Sequence, residues 1–125
     1  MNELVNTEKA PKPVGPYSQA VKAGKFLFVS GQVAIDPKEG KIINSTVREQ
    51  TIQIMENIKA ILQAAGYNLG DVVISNAYLS SMEQFSEFNS VYGKYFEPIF
   101  PARVTVGIEL MPKALVEISI IAYKE

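Results

Sequence analysis

Cysteine, histidine and tryptophan are absent from the 125 residues. Without Cys there is no disulfide, no thiolate nucleophile and no thiolate-bound zinc. Without His, Ser-His-Asp and Cys-His chemistry is excluded, along with the commonest transition-metal ligand. Acid–base work then falls to carboxylates, Lys, Tyr or a water held by backbone groups. Aspartate is scarce: Asp36 and Asp71 stand alone and apart, which argues against a carboxylate cage for Mg or Ca. No metal site is expected. The opening run, MNELVNTEKAPKP, lacks the apolar stretch of a secretory signal. No apolar run approaches the roughly 20 residues of a membrane span. The expectation is a cytoplasmic chain with no membrane partner, so the Asn44-Ser45-Thr46 sequon is read as chance.

What is present is ordinary for a globular domain. Hydrophobic residues make up 47% and charged residues 20%. Residues 1–125 read as one domain, long enough to bury roughly two-thirds of the unfolded surface without metal or disulfide help. Lys and Arg total 12 against 13 Asp and Glu, for a net charge of −1. A nucleic-acid footprint needs a basic excess or stripe. Neither is present, so no nucleic-acid partner is expected.

Residues 17–22 and 26–33 read as strands joined through Gly24, which supplies positive φ to a hairpin. Residues 34–46 read as a loop with a short edge strand at 41–43. Thr46 and Glu49 fit a capping box, and Ile54, Ile58, Ile61, Leu62 and Ala65 follow at helical spacing. Gly66 is placed to stop that helix. Residues 72–79 read as a strand. Ser81 and Gln84 offer a second capping box before a helix near 82–96. Its aromatic stripe (Phe85, Phe88, Tyr92, Tyr95, Phe96) is read as a buried face rather than a base-stacking one. Strands at 102–109 and 114–123 complete a β-β-α-β-α-β-β order. The fold class is α+β: a single mixed sheet with two helices on one face.

Strand alternation divides the sheet faces. Val104, Val106 and Ile108 in one strand, and Val116, Ile118 and Ile120 in the other, are expected under the helices. Arg103, Thr105, Gly107, Glu109, Leu115, Glu117, Ser119 and Ile121 are expected opposite. That mixed face suits either cover by another subunit or solvent on an antiparallel sheet. Of the 12 cationic residues only Arg48 and Arg103 are arginines. Arg48 falls in a first helical turn with a surface role. Arg103 could grip a carboxylate with two parallel hydrogen bonds, or pair with Glu117 or Glu109.

Several segments together resemble one family. They are Val14-Gly15-Pro16-Tyr17-Ser18-Gln19-Ala20, Phe28-Val29-Ser30-Gly31-Gln32, Gln50-Thr51, Asn57 to Gly66, Phe88-Asn89 with Tyr92, Phe100-Pro101-Ala102-Arg103, Pro112-Lys113 and Val116-Glu117-Ile118. In this order they resemble the Rid family of reactive intermediate deaminases, also called the YjgF family, over residues 10 to 123. The likeness is to its archetypal deaminase branch. The resemblance implies a fold similar to Bacillus-type chorismate mutase and a homotrimer with sites between subunits. It implies cofactor-free hydrolysis of 2-imino acids, such as 2-iminopropanoate and 2-iminobutanoate, to 2-keto acids and ammonia. By the same resemblance Arg103 binds the substrate carboxylate and Glu117 positions the attacking water. Tyr17 is the cleft tyrosine, grouped with Arg103 and Glu117 as catalytic, while Ser30, Gly31, Asn89 and Thr105 bind the substrate. Thr105 stands where many members carry Cys, which removes thiol chemistry but leaves a backbone role intact. The turn before Glu117 is one residue shorter than in some members, and Glu109 is the fallback base.

Each of these residues also has a plain structural reading. Glu117 could face solvent, Tyr17 could edge the core, Ser30-Gly31 could form a bulge, Asn89 could tie a loop and Thr105 could fill a strand. The alternative function is a small-carboxylate-binding regulatory protein without significant turnover. RNA cleavage and a holdase role are further rivals. The charge balance and missing His weigh against the former, and the lack of a long exposed apolar segment against the latter.

Overall fold

A computed structural model describes residues 1–125. The elements are β1 (Glu3–Val5), β2 (Ala20–Ala23), β3 (Phe26–Val33), β4 (Ile35–Asp36), β5 (Lys41–Ile42), α1 (Val47–Ala64), β6 (Val72–Leu79), α2 (Phe85–Phe96), β7 (Ala102–Gly107) and β8 (Val116–Tyr123). Six strands form one sheet in the order β1-β2-β3-β8-β6-β7. Only the β6–β7 pair is parallel. Parallel neighbours need a crossover, and α2 supplies it. β4 and β5 form a separate two-stranded hairpin. The architecture is the expected α+β one, with both helices packed into one core on one side of the sheet.

α1 forms where its periodicity places it. Thr46 accepts from the Glu49 backbone N–H at 3.1 Å and donates to the Glu49 carboxylate at 3.0 Å. Ile54, Met55, Ile58, Ile61 and Leu62 are fully buried. They pack with Leu27 and Val29 of β3 and Val116, Ile118 and Ile120 of β8 in one cluster. Burying each such side chain stabilises the fold by about 1.5–3 kcal/mol. Gly66, at φ +85°, ends the helix in a conformation that other residues adopt at a cost.

α2 departs from the expectation at its start. Ser81 caps a short 3₁₀ turn at Met82–Gln84, and the α-helix begins only at Phe85. Gln84 accepts from Ser80 Oγ at 3.3 Å, so the reciprocal arm of the expected box is not made. Phe88, Tyr92 and Phe96 are buried in a ladder with ring centroids 5.2 and 4.8 Å apart. Phe85 lies at the exposed margin, and half-buried Tyr95 donates to Glu56 at 2.9 Å, tying α2 to α1.

β7 ends two residues before, and β8 starts two residues after, the expected bounds, and the sheet differs from expectation in four further places. β1 adds an edge strand that the sequence did not signal, because three residues carry almost no periodicity. The strand expected at 17–22 starts at Ala20, since Tyr17 is held in a turn by its N–H to Gly15 O. The loop at 34–46 contains a true hairpin, β4–β5. The fourth difference is a reversal. Val104, Val106 and Ile108 are exposed on the open side, while Arg103 and Thr105 turn toward the helices. Register is the reason. Thr105 aligns with buried Ala77, which aligns with buried Ile118. β8 itself follows the expectation, with Val116, Ile118, Ile120 and Ala122 all buried.

Urea unfolding should show Ile58→Ala losing about 2–5 kcal/mol, because the cavity lies in the dense core. Thr46→Ala should lose only about 1 kcal/mol, because it removes a cap and no packing.

Candidate active site

Two groups of the anticipated residues form, and they lie on opposite faces of the sheet. The first surrounds Glu117. Its strand neighbours Val116 and Ile118 point into the core, so the period of two sends Glu117 to the other face. There it borders a cavity of about 330 Å³ shared with Tyr17, Ser30, Gly31, Lys12 and Met111. That volume suits a small metabolite. The register between β3 and β8 shifts between Val29 and Gln32, and the resulting bulge carries Ser30 and Gly31. Gly31 leaves space for that carboxylate: a Cβ here would meet the Glu117 carboxylate oxygen and lie 3.1 Å from Cδ, so a side chain would push the carboxylate aside. Burial pushes the Glu117 carboxyl above its ordinary value.

The side chains around this cavity already have local duties. Ser30 Oγ donates to Ser18 O at 2.6 Å, so its hydroxyl orders the turn. The half-exposed Tyr17 hydroxyl accepts from the Val14 N–H at 3.2 Å. Two buried glutamines that sequence reasoning left without a role hold the walls. Gln19 accepts from Thr7 N–H at 2.8 Å and donates to Thr7 O at 3.0 Å and Pro11 O at 2.9 Å, fixing the Pro-rich segment. Gln50 donates to Asn44 O and Lys113 O and accepts from Leu115 N–H, fixing the turn before Glu117. Gln50 was detectable, since a polar residue sits four before Ile54 on the buried stripe of α1.

The second group surrounds Arg103. Its guanidinium carbon lies 5.7, 5.5 and 4.9 Å from the ring centroids of Phe85, Phe88 and Tyr92. The chain's one ion pair is Lys59–Glu56, so Arg103 pairs with neither Glu117 nor Glu109. Four buried side-chain atoms lack a hydrogen-bond partner: Ser75 Oγ, Asn89 Oδ1, Tyr92 Oη and Thr105 Oγ1. All four sit on α2, β6 and β7, the elements around Arg103. Buried polar atoms are rarely left unpaired, and here they gather beside one cation. Burial also raises the Tyr92 phenol, against the lowering pull of Arg103 and of the Ser75 hydroxyl, which lies near it without making a well-formed hydrogen bond.

One chain does not bring the two groups together. Ser75 aligns with Arg103 on one side and Ile120 on the other, three residues from Glu117. Two strand spacings and three residues separate the Cα atoms by about 14 Å, with side chains on opposite faces. Glu109 is exposed beyond the end of β7. No group of three or more acidic residues could hold a metal ion, and no helix is long and apolar enough to cross a membrane.

A mixed sheet covered by helices on one face, with a cavity of about 330 Å³ on its bare face and an unpaired arginine on its edge strand, defines a class of small α+β proteins. The chain belongs to the YjgF/Rid/RutC family: the family profile described as Endoribonuclease L-PSP matches residues 7–124. A RutC family protein of Pyrococcus horikoshii is 55% identical over the full length of both chains. The structure of RidA from an Antarctic Psychrobacter is 40% identical at a TM-score of 0.93, covering 98% of this chain and 99% of that one. Escherichia coli TdcF, solved with bound serine, is 32% identical at a TM-score of 0.93 with the same coverage.

A raised carboxyl makes the folded state favour protonation more than the unfolded state does. Its contribution is present below the unfolded value near 4.5 and is lost as pH rises through the folded value. Glu117→Gln should therefore remove a decline in stability that the native protein shows as pH rises above about 4.5. Thermal unfolding across pH 4–8 checks it.

Proposed function

We propose that the protein hydrolyses reactive 2-imino acids, 2-iminopropanoate and 2-iminobutanoate, to 2-keto acids and ammonia, without a cofactor. The observation that carries this reading is Arg103: a half-buried guanidinium with no carboxylate of its own chain. Such a cation is costly to leave unpaired, and a planar fork of donors matches a substrate carboxylate. The chemistry is within reach of a site without His or metal. Water adds to the imine carbon, forming a C–O bond as the C=N π bond breaks and nitrogen takes a proton. The carbinolamine then loses ammonia as the C–N bond breaks and the carbonyl forms. Glu117, with its raised carboxyl, accepts the water proton and returns one to the leaving nitrogen. Tyr17, Ser30 and Gly31 frame the substrate on the Glu117 side, and Asn89 and Thr105 flank its carboxylate beside Arg103. Orientation supplies most of the remaining effect.

In this reading the working unit is a homotrimer, and each site joins Arg103 of one subunit to Glu117 of the next. The separation of the two groups within one chain supports it. So does the bare face, where Phe28 is 44% and Val104 53% exposed. Large apolar side chains on an open sheet face suit cover by a second copy. The second reading is a small-carboxylate sensor, favoured by the amino acid held by TdcF. An RNA-cleaving role draws little support from a chain of net charge −1 with no His and only Lys12 as a cation at the cavity.

With imines generated in situ by an amino-acid oxidase and trapped by semicarbazide, the native protein should lower the trapped imine. Arg103→Ala should lose about 10- to 100-fold in kcat/KM, from the lost charged hydrogen bonds. Glu117→Gln should lose about 100-fold or more in kcat while still binding 2-oxobutanoate. Mixing the two impaired variants through unfolding and reassembly should give more activity than either alone. Binding of 2-oxobutanoate without turnover would instead select the sensor.

A further inference from the structure

We propose that Phe85 and Tyr92, with Phe88, form an aromatic cradle that positions the Arg103 guanidinium as an anion receptor while leaving its N–H donors free. The inference deepens the reading of Arg103 above and rests on it. A half-buried arginine is ordinarily held by a carboxylate, which occupies the fork it stabilises. Arg103 has no such partner. Three rings instead stand 4.9–5.7 Å from its guanidinium carbon. Aromatic faces are negative, so they offset part of the cost of withdrawing the cation from water without accepting its hydrogen bonds. The rings are themselves fixed. Tyr92 is 4% exposed and packs between Phe88 and Phe96, and Phe88 is wholly buried. Phe85 closes the outer side at the first residue of α2. The late start of the α-helix after the 3₁₀ turn places it there. The hydroxyls of Ser75 and Tyr92, on the neighbouring β6 and α2, make no hydrogen bond to the guanidinium, so the fork is not engaged by them. The cradle makes Phe85 and Tyr92 positioning residues: they act through Arg103.

Phe85 is the position to test, because it is at the surface and its loss leaves the core intact. Two measurements on the intact protein separate the cradle from the function it serves. A thermal-unfolding cycle of Phe85→Leu, Arg103→Ala and the double variant should show less than additive losses. Calorimetric titration with 2-oxobutanoate should show Phe85→Leu binding about 3- to 10-fold more weakly than the native protein, and Phe85→Tyr within about twofold of native. Additive losses in the cycle overturn the cradle. So does unchanged binding by Phe85→Leu where the native protein binds. If the native protein binds no carboxylate, the proposed function falls instead. The cycle alone then decides whether the rings hold the arginine.

Discussion

The alternation of β8, at the centre of the sheet between β3 and β6, is the constraint on which the rest depends. Four of its side chains, Val116, Ile118, Ile120 and Ala122, are buried in the core beneath the helices. A slip of one residue would expose all four and drive Glu117 inward. The same burial that fixes the core therefore fixes the carboxylate on the opposite face. Neighbouring strands inherit this choice through register. Ala77 lines up with Ile118, and Thr105 lines up with Ala77. The direction of Arg103 follows two residues earlier on the same strand.

The two faces solve different electrostatic problems. On the bare face, the bulge at Ser30-Gly31 leaves room for a carboxylate that burial makes more basic. On the helix side, aromatic rings hold a cation that lacks an acidic partner. Opposite charges brought together within one chain would have satisfied each other. On separate faces, each is left without an opposite charge from its own chain. Buried Gln19 and Gln50 serve this arrangement from behind, each pinning an irregular segment whose backbone would otherwise lack partners.

Local chemistry was legible where one element decides it. The Thr46 cap, the apolar stripe of α1, the stop at Gly66 and the alternation of β8 all follow from spacing, and each appears at its expected place. Family membership was legible from the ordered segments between Val14 and Ile118, and with it the position of Arg103 and Glu117 in the chain. The face taken by β7 was not. Val104, Val106 and Ile108 satisfy the hydrophobic pattern of a buried face, yet they lie outside, because the register that sets Thr105 beside buried Ala77 turns them to the open side. Pattern alone ranks the two faces by hydrophobicity, and an apolar face is equally compatible with helices or with another subunit.

The sequence by itself determined the fold class, the two helices, the central strand's orientation and the exclusion of His- and Cys-based chemistry, because these rest on composition and short-range period. Only the tertiary structure decided that Arg103 lies among Phe85, Phe88 and Tyr92, that Gly31 makes room for Glu117, and that the two charged groups sit on opposite faces. The physical reason is register. Which residue of β6 stands beside which residue of β7 and β8 depends on contacts across the whole sheet, and no local window of sequence contains them.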